Sequence, residues 1–300
     1  MRPVFVGDVQ GCVRELEALF ARVDAELGQD AWEPWLVGDL VNRGPSSLEV
    51  LRAVRARADA GRARVVLGNH EVALLRTALG RRRPGPEDTF ADVLEADRRE
   101  GWVDWLLRLP LLVEGRLGAT PFAMVHAAVH PDWSLAVARK RAAAVEAVLR
   151  GGDRQAAADL LDAVTRAPRA GAADDLARLL TCRSVRPGDD AWSDAPPAPP
   201  WRPWHEAWRA RGHPYGVVYG HWSVQGLHVA PGLRGLDTGC VHHGRGRDGF
   251  LTAWLPDPSA PDPFGVPDDR FVQVRAFARY HAAAPGGAAA GGPGGGAPGS

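Results

Sequence analysis

Hydrophobic residues in the first 130 positions follow two rhythms. Short apolar runs at 3–6, 35–37, 64–67 and 121–125 predict strands, and the stretches between them carry apolar residues at helical spacing. Val13, Leu16, Leu19, Phe20, Val23 and Leu27 form one helix face that Gly28 ends, and Leu48, Leu51 and Val54 form a second. A third helical stretch, 87–109, carries Trp102, Trp105 and Leu106. Such alternation predicts an α/β layered fold. Residues 134–181 are rich in Ala, Arg and Asp at helical spacing and read as a mostly helical insertion or cap. SDAPPAPPWRPW, 193–204, is expected to be a surface loop, because its prolines lack backbone donors. Short β runs return at 217–219, 227–229, 233–236, 250–254 and 271–274. The organisation expected is one domain over 1–281, with the insertion at about 134–215 inside it, followed by a low-complexity Gly/Ala/Pro tail, 282–300, expected to be disordered.

Composition narrows the function classes. The 300 residues are 45% apolar, enough for a sizeable core. Thirty-six basic and 36 acidic side chains cancel, so no broad nucleic-acid surface or membrane surface is expected, and any anion must be held by local groups. Cys12, Cys182 and Cys240 are odd in number and far apart, which fits reduced thiols in a cytoplasm. No signal-peptide pattern opens the chain and no apolar run approaches membrane-spanning length, so a soluble, cytoplasmic protein is expected.

The chemistry lies where the strands end. Val6 leads into GD at 7–8, Val37 into GDLVNRG at 38–44, Leu67 into GNHE at 68–71, Val125 into His126, and Tyr219 into GH at 220–221. A single Asp after a strand is ordinarily a turn residue or a helix cap. Independent turns, however, have no reason to repeat Gly-Asp, Gly-Asp, Gly-Asn-His and Gly-His after successive β runs. In a layered α/β fold strand tips converge on one crevice. Two carboxylates, an Asn and two His there make a mixed O/N ligand set suited to Mn²⁺, Fe²⁺, Co²⁺ or Zn²⁺, and compatible with a pair of ions sharing one carboxylate.

These motifs resemble those of the calcineurin-like metallophosphoesterases. More narrowly, GDVQGC, GDLVNRGPSSLEVL, VVLGNHEVALL, MVHAAVHPDW, YGHW and LDTGCVHHG are similar to the symmetrical bis(5'-nucleosyl)-tetraphosphatases. The resemblance covers roughly residues 1–275, with a looser match over 140–215. It implies a metallophosphoesterase-type α/β/β/α sandwich carrying a helical insertion. It also implies two divalent ions, Mn²⁺, Co²⁺, Fe²⁺ or Zn²⁺. Asp8 would bind the first, Asp39 would bridge both, and Asn69, His126 and His221 would hold the second. Arg43 would grip phosphate oxygens, and His70 would be the general acid at the departing oxygen. Arg183, in TCRSVRP, would be a further phosphate contact, with Arg186 equally available.

Two positions depart from the pattern. Gln10 stands where much of the superfamily has a metal-binding His; either it serves a labile first metal weakly or through a water it positions, or the site binds one metal and catalysis fails. Asn42 stands where phosphoprotein phosphatases have a carboxylate beside the acid His. That argues for a leaving group that is itself a stable phosphate anion. Asp237, His242 and His243 are expected near the site, in supporting or loop positions. Trp222 and the group Trp192, Trp201, Trp204 and Trp208 could offer adenine an aromatic face, although core or lid packing is the commoner fate of tryptophan. The resemblance implies hydrolysis of diadenosine tetraphosphate or a related dinucleoside polyphosphate to two ADP. The alternatives are a phosphoprotein or nucleotide-capped RNA phosphohydrolase on the same scaffold, or a dinucleotide-binding sensor that has lost turnover.

Overall fold

The structure is a computed structural model that describes residues 1–166 and 169–280. The amino-terminal elements are β1 (Arg2–Val6), α1 (Val13–Leu27), β2 (Trp32–Leu36), α2 (Ser47–Asp59), β3 (Arg64–Val65) and α3 (Asn69–Ala78). Next come α4 (Ala91–Glu100), α5 (Trp102–Leu107), β4 (Leu112–Leu117) and β5 (Thr120–Val125). The helices α6 (Leu135–Arg150), α7 (Arg154–Ala163) and α8 (Gly171–Thr181) follow, then β6 (Ser184–Val185), β7 (Trp192–Ser193), β8 (Arg202–Pro203) and α9 (Trp204–Ala210). The last strands are β9 (Gly216–Tyr219), β10 (His228–Ala230), β11 (Leu233–Gly235), β12 (Phe250–Trp254) and β13 (Phe271–Arg275). The tail expected to be disordered lies outside the described residues.

Two five-stranded sheets, ordered β13-β12-β1-β2-β3 and β10-β11-β9-β5-β4, stand face to face. Phe5, Trp35, Val37 and Trp254 of the first interleave with Phe122, Met124 and Val218 of the second, and the Phe5 and Phe122 rings meet edge-on at 5.1 Å. Helices cover the outer faces. The apolar stripe Leu16, Leu19, Phe20 and Val23 lays α1 on β12 and β13, while α6 lies on β4. The architecture is the α/β/β/α sandwich that the motifs implied. Strands β1, β2 and β3 run parallel, as do β5 and β9, which directs five carboxyl-terminal strand ends towards one edge.

Local differences from the sequence reading have identifiable causes. The helical stretch expected over 87–109 is two helices, because Gly101 takes a left-handed conformation between them (φ 67°). The insertion contains three helices, and Ser134 and Asp153 start α6 and α7 by accepting backbone N–H groups. The segment expected as a surface loop over 193–204 is one only over 194–201: Ser193 ends β7, and Arg202–Pro203 form an edge strand of a small sheet ordered β7-β6-β8, where the proline's missing donor costs nothing. A helix, α9, then starts at Trp204, which buries Trp204 and Trp208 four residues apart. Strand β4 was not anticipated. Its charged positions, Glu114 and Arg116, lie on the solvent side of a hairpin with β5.

Candidate metal centre

Every strand-tip residue singled out in the sequence meets at that edge. Asp8 leaves β1, Asp39 follows β2 after Gly38, Asn69 opens α3, His126 leaves β5, and His221 follows Gly220 beyond β9. His126 Nε2 lies 2.9 Å from Asn69 Oδ1 and 3.4 Å from Asp39 Oδ1. His221 Nδ1 lies 2.8 Å from the same Asn69 oxygen. The His221 backbone N–H donates to both oxygens of Asp8, at 3.2 and 3.1 Å, and the His70 N–H donates to Asp39 Oδ1 at 2.9 Å.

The donor set fits a cation. His126 donates its Nδ1–H to the Val37 carbonyl at 2.8 Å, and His221 donates its Nε2–H to the Thr181 carbonyl at 3.2 Å. Each carbonyl fixes a tautomer and leaves the other ring nitrogen with a lone pair aimed inward. Burial and the neighbouring His126 hold His221 well below the usual imidazole pKa, so it remains neutral. Two nitrogen lone pairs and an amide oxygen therefore converge with no hydrogen to share, which is unfavourable unless a positive ion sits among them. Asp8, Asp39 and His126 also bring ligand atoms within 4.8 Å of one another.

Backbone strain concentrates here. Among the described residues, six other than glycine have left-handed φ, and five of them belong to the site: Gln10 (47°), Asp39 (50°), Asn42 (77°), Arg43 (67°) and His221 (68°). Glycine is required at two contacts for a different reason, close approach. A Cβ on Gly220 would fall 2.0 Å from Asp8 Oδ1, and one on Gly68 would fall 2.3 Å from Asp39 Oδ1.

Negative charge is crowded without a cation. Burial, then the charges of Asp237 and Asp39, push the Asp8 pKa up, and burial with Asp39 pushes Asp237 up to about 7. Asp237 thus belongs to the carboxylate cluster, and its Oδ1 accepts the Gly239 N–H. Glu71, the last residue of GNHE, had no role in the sequence reading and proves central. Its Oε2 accepts the N–H groups of Asp39 and Gly68, both at 2.9 Å, and its Oε1 those of Leu40 at 2.7 Å and Val41 at 3.1 Å. One carboxylate therefore ties the β2 exit loop to the start of α3. Its place three residues after the helix cap, Gly68, was the signal available in the sequence.

Around the centre, Arg43 pairs with Glu87, whose other oxygen lies 3.7 Å from Arg245. Arg183 is the phosphate candidate that faces the site, since its guanidinium interacts electrostatically with Asp237 and Asp39 as well as Asp194. Arg186 is paired with Asp189 at 2.6 Å and lies over Trp201. Gln10 turns its amide nitrogen to Asp39 Oδ2 at 3.4 Å, so in this arrangement it donates to the carboxylate. His242 sits in the short Cys240–His242 turn, and His243 accepts the Gly249 N–H. Of the tryptophans, Trp204 and Trp208 are core, Trp192 is covered by Arg169 and Arg178, and Trp222, beside His205, is half-buried next to His221.

Comparison with known proteins agrees with this geometry. The calcineurin-like phosphoesterase family model matches residues 1–244. The chain is 41% identical over 262 residues to a protein of Chromohalobacter salexigens named bis(5'-nucleosyl)-tetraphosphatase, symmetrical, covering 80% of this chain and 90% of that one. A protein of the same name from Paracidovorax citrulli is 39% identical over 259 residues, covering 80% and 88%. Among solved structures, one assigned provisionally as a diadenosine tetraphosphatase superposes with a TM-score of 0.58 at 23% identity, over 92% of this chain and 94% of that one. A serine/threonine phosphatase of Saccharomyces cerevisiae gives 0.52 at 15% identity, over 93% and 80%. At those identities the two structures speak to the fold alone.

Proposed function

The chain belongs to the calcineurin-like phosphoesterase family, among its symmetrical bis(5'-nucleosyl)-tetraphosphatases, and from that premise we propose that it cleaves diadenosine tetraphosphate and related dinucleoside polyphosphates at the central bridge, giving two ADP. The observation that carries the reading is the convergence of His126 Nε2, His221 Nδ1 and Asn69 Oδ1 beside Asp39 and Asp8, a cation cradle at the strand tips. Asp8 and Asp39 would hold a first ion, with Gln10 acting weakly or through water. Asp39, Asn69, His126 and His221 would hold a second. Such a pair, when bound, would supply an acidified water as nucleophile near neutral pH and offset phosphate charge. The mixed O/N set suits Mn²⁺, Co²⁺, Fe²⁺ or Zn²⁺.

The chain's own groups do the rest. Arg43, whose exposed partner Glu87 yields readily, turns its fork to the phosphate oxygens, and Arg183 meets them from the insertion side. His70 directs Nε2 inward, 3.8 Å from Asp39 Oδ2, where it serves the bridging oxygen as that oxygen departs. Asn42, replacing a carboxylate beside that ring, favours a phosphate anhydride over a phosphoprotein ester. We place the protein in the cytoplasm: its three cysteines are free and buried, and among the described residues no helix is long and apolar enough to cross a membrane.

The test is chromatography of products after incubation with diadenosine tetraphosphate and Mn²⁺ or Co²⁺. Two ADP is the expected result. AMP with ATP would refute symmetrical cleavage, and binding without turnover at every metal would support the sensor alternative.

A further inference from the structure

We infer that His70 acts as a neutral hydrogen-bond donor through Nε2–H, fixed in that tautomer by Asn42 and Asp88, and passes no proton to the leaving group. The inference rests on the hydrolase reading above and sharpens it. His70 Nδ1 lies 3.0 Å from Asn42 Nδ2. An amide nitrogen only donates, so Nδ1 must present a lone pair and the ring hydrogen must sit on Nε2. The orientation of the Asn42 amide is set by its surroundings. Oδ1 accepts the N–H of Arg43 at 2.8 Å and of Thr89 at 3.0 Å, so Nδ2 faces the other way. Its second hydrogen goes to Asp88 Oδ1 at 2.9 Å. Asp88 is itself anchored by the Gly85 N–H at 2.6 Å and by Arg82. Flipping the amide would turn its oxygen on Asp88 and its hydrogens on two backbone donors, breaking all of these contacts at once.

A ring held this way can polarise an oxygen but cannot protonate one. Losing the Nε2 hydrogen would leave an imidazole anion facing the carboxylates of Asp39 and Asp88. In the reaction, the water oxygen forms a bond to phosphorus and the bond from phosphorus to the bridging oxygen breaks. The electron pair leaves on a nucleoside diphosphate oxygen, the surplus proton of water goes to solvent, and His70 ends as it began. A diphosphate oxygen is stable as an anion and needs only a hydrogen bond. A serine or alkyl oxygen needs a proton, so the Asn42–Asp88 pair selects anhydrides over esters. Asn42 and Asp88 are positioning residues; of the three, only His70 touches the substrate.

Nitrogen NMR of histidine-labelled protein loaded with diamagnetic Mg²⁺ reads the tautomer directly, with His70 identified by the signal missing in His70→Gln. The expected spectrum has hydrogen on Nε2 and none on Nδ1. Hydrogen on Nδ1, or on both nitrogens, overturns the inference. In kinetics, Asp88→Ala should lower kcat on diadenosine tetraphosphate about tenfold with KM nearly unchanged. No change in kcat, or a loss confined to KM, also overturns it. Wild-type protein that forms no ADP refutes the hydrolase reading and leaves the spectrum to be judged alone.

Discussion

Glu71→Gln tests the claim that one carboxylate holds the site's loops together. The substitution preserves shape and replaces one acceptor oxygen by an NH₂ group. Each Glu71 oxygen accepts two backbone N–H groups, Asp39 with Gly68 on one side and Leu40 with Val41 on the other. Whichever way the amide turns, two buried donors lose their acceptor and face further donors. An unsatisfied buried donor costs about 1–3 kcal/mol, so the variant should lose about 2–6 kcal/mol. That is a large share of the roughly 5–15 kcal/mol that stabilises an ordinary fold. Urea unfolding should show the midpoint falling with an unchanged slope, both in excess divalent cation and in chelator. A loss below about 1 kcal/mol in both conditions would refute the reasoning, because it would mean that the four N–H groups find other partners.

Further outcomes follow from the same geometry. In chelator, stability should fall as pH rises from about 5 to 7. Burial and Asp39 push Asp237 up to about 7 against an ordinary value of 3.8, and burial with Asp237 and Asp39 raises Asp8, so the folded state binds more protons across that window and ionisation works against it. Excess Mn²⁺ should flatten the profile, as thermal melts at several pH values would show. Gly220→Ala should abolish tight divalent-ion binding measured by calorimetry, since the added Cβ would fall 2.0 Å from Asp8 Oδ1. Glu87→Ala should lower KM for diadenosine tetraphosphate by up to about fivefold, the size of one exposed ion pair, by freeing Arg43. A raised KM would show instead that Glu87 orients the guanidinium productively.

The candidate ligands were legible in the sequence because each follows a β run, four of them through a glycine turn, a local signal that survives without knowledge of the fold. His126 needed only its place after the apolar run 121–125. What escaped were partners set by tertiary approach. Thr181 supplies a backbone carbonyl, which any residue would offer. Asp88 lies 46 residues from Asn42 in a polar loop with nothing to distinguish it. Arg183 and Arg186 flank β6 on either side, and composition does not say which of them interacts with Asp237 and Asp39, as Arg183 does. Strand β4 was missed because its charged positions broke the apolar run, and α9 because prolines precede it.

The left-handed residues lining the centre imply a tension between endurance and turnover. Glycine would relax Asp39, Asn42, Arg43 and His221 at once, each of which otherwise holds a conformation worth on the order of 1–3 kcal/mol above its preference. A lineage selected for heat resistance alone would drift towards glycine at these positions and grow sturdier as it fell silent. Those backbones stay where they are because the surrounding contacts hold them there, at a cost in stability that the placement of these side chains requires.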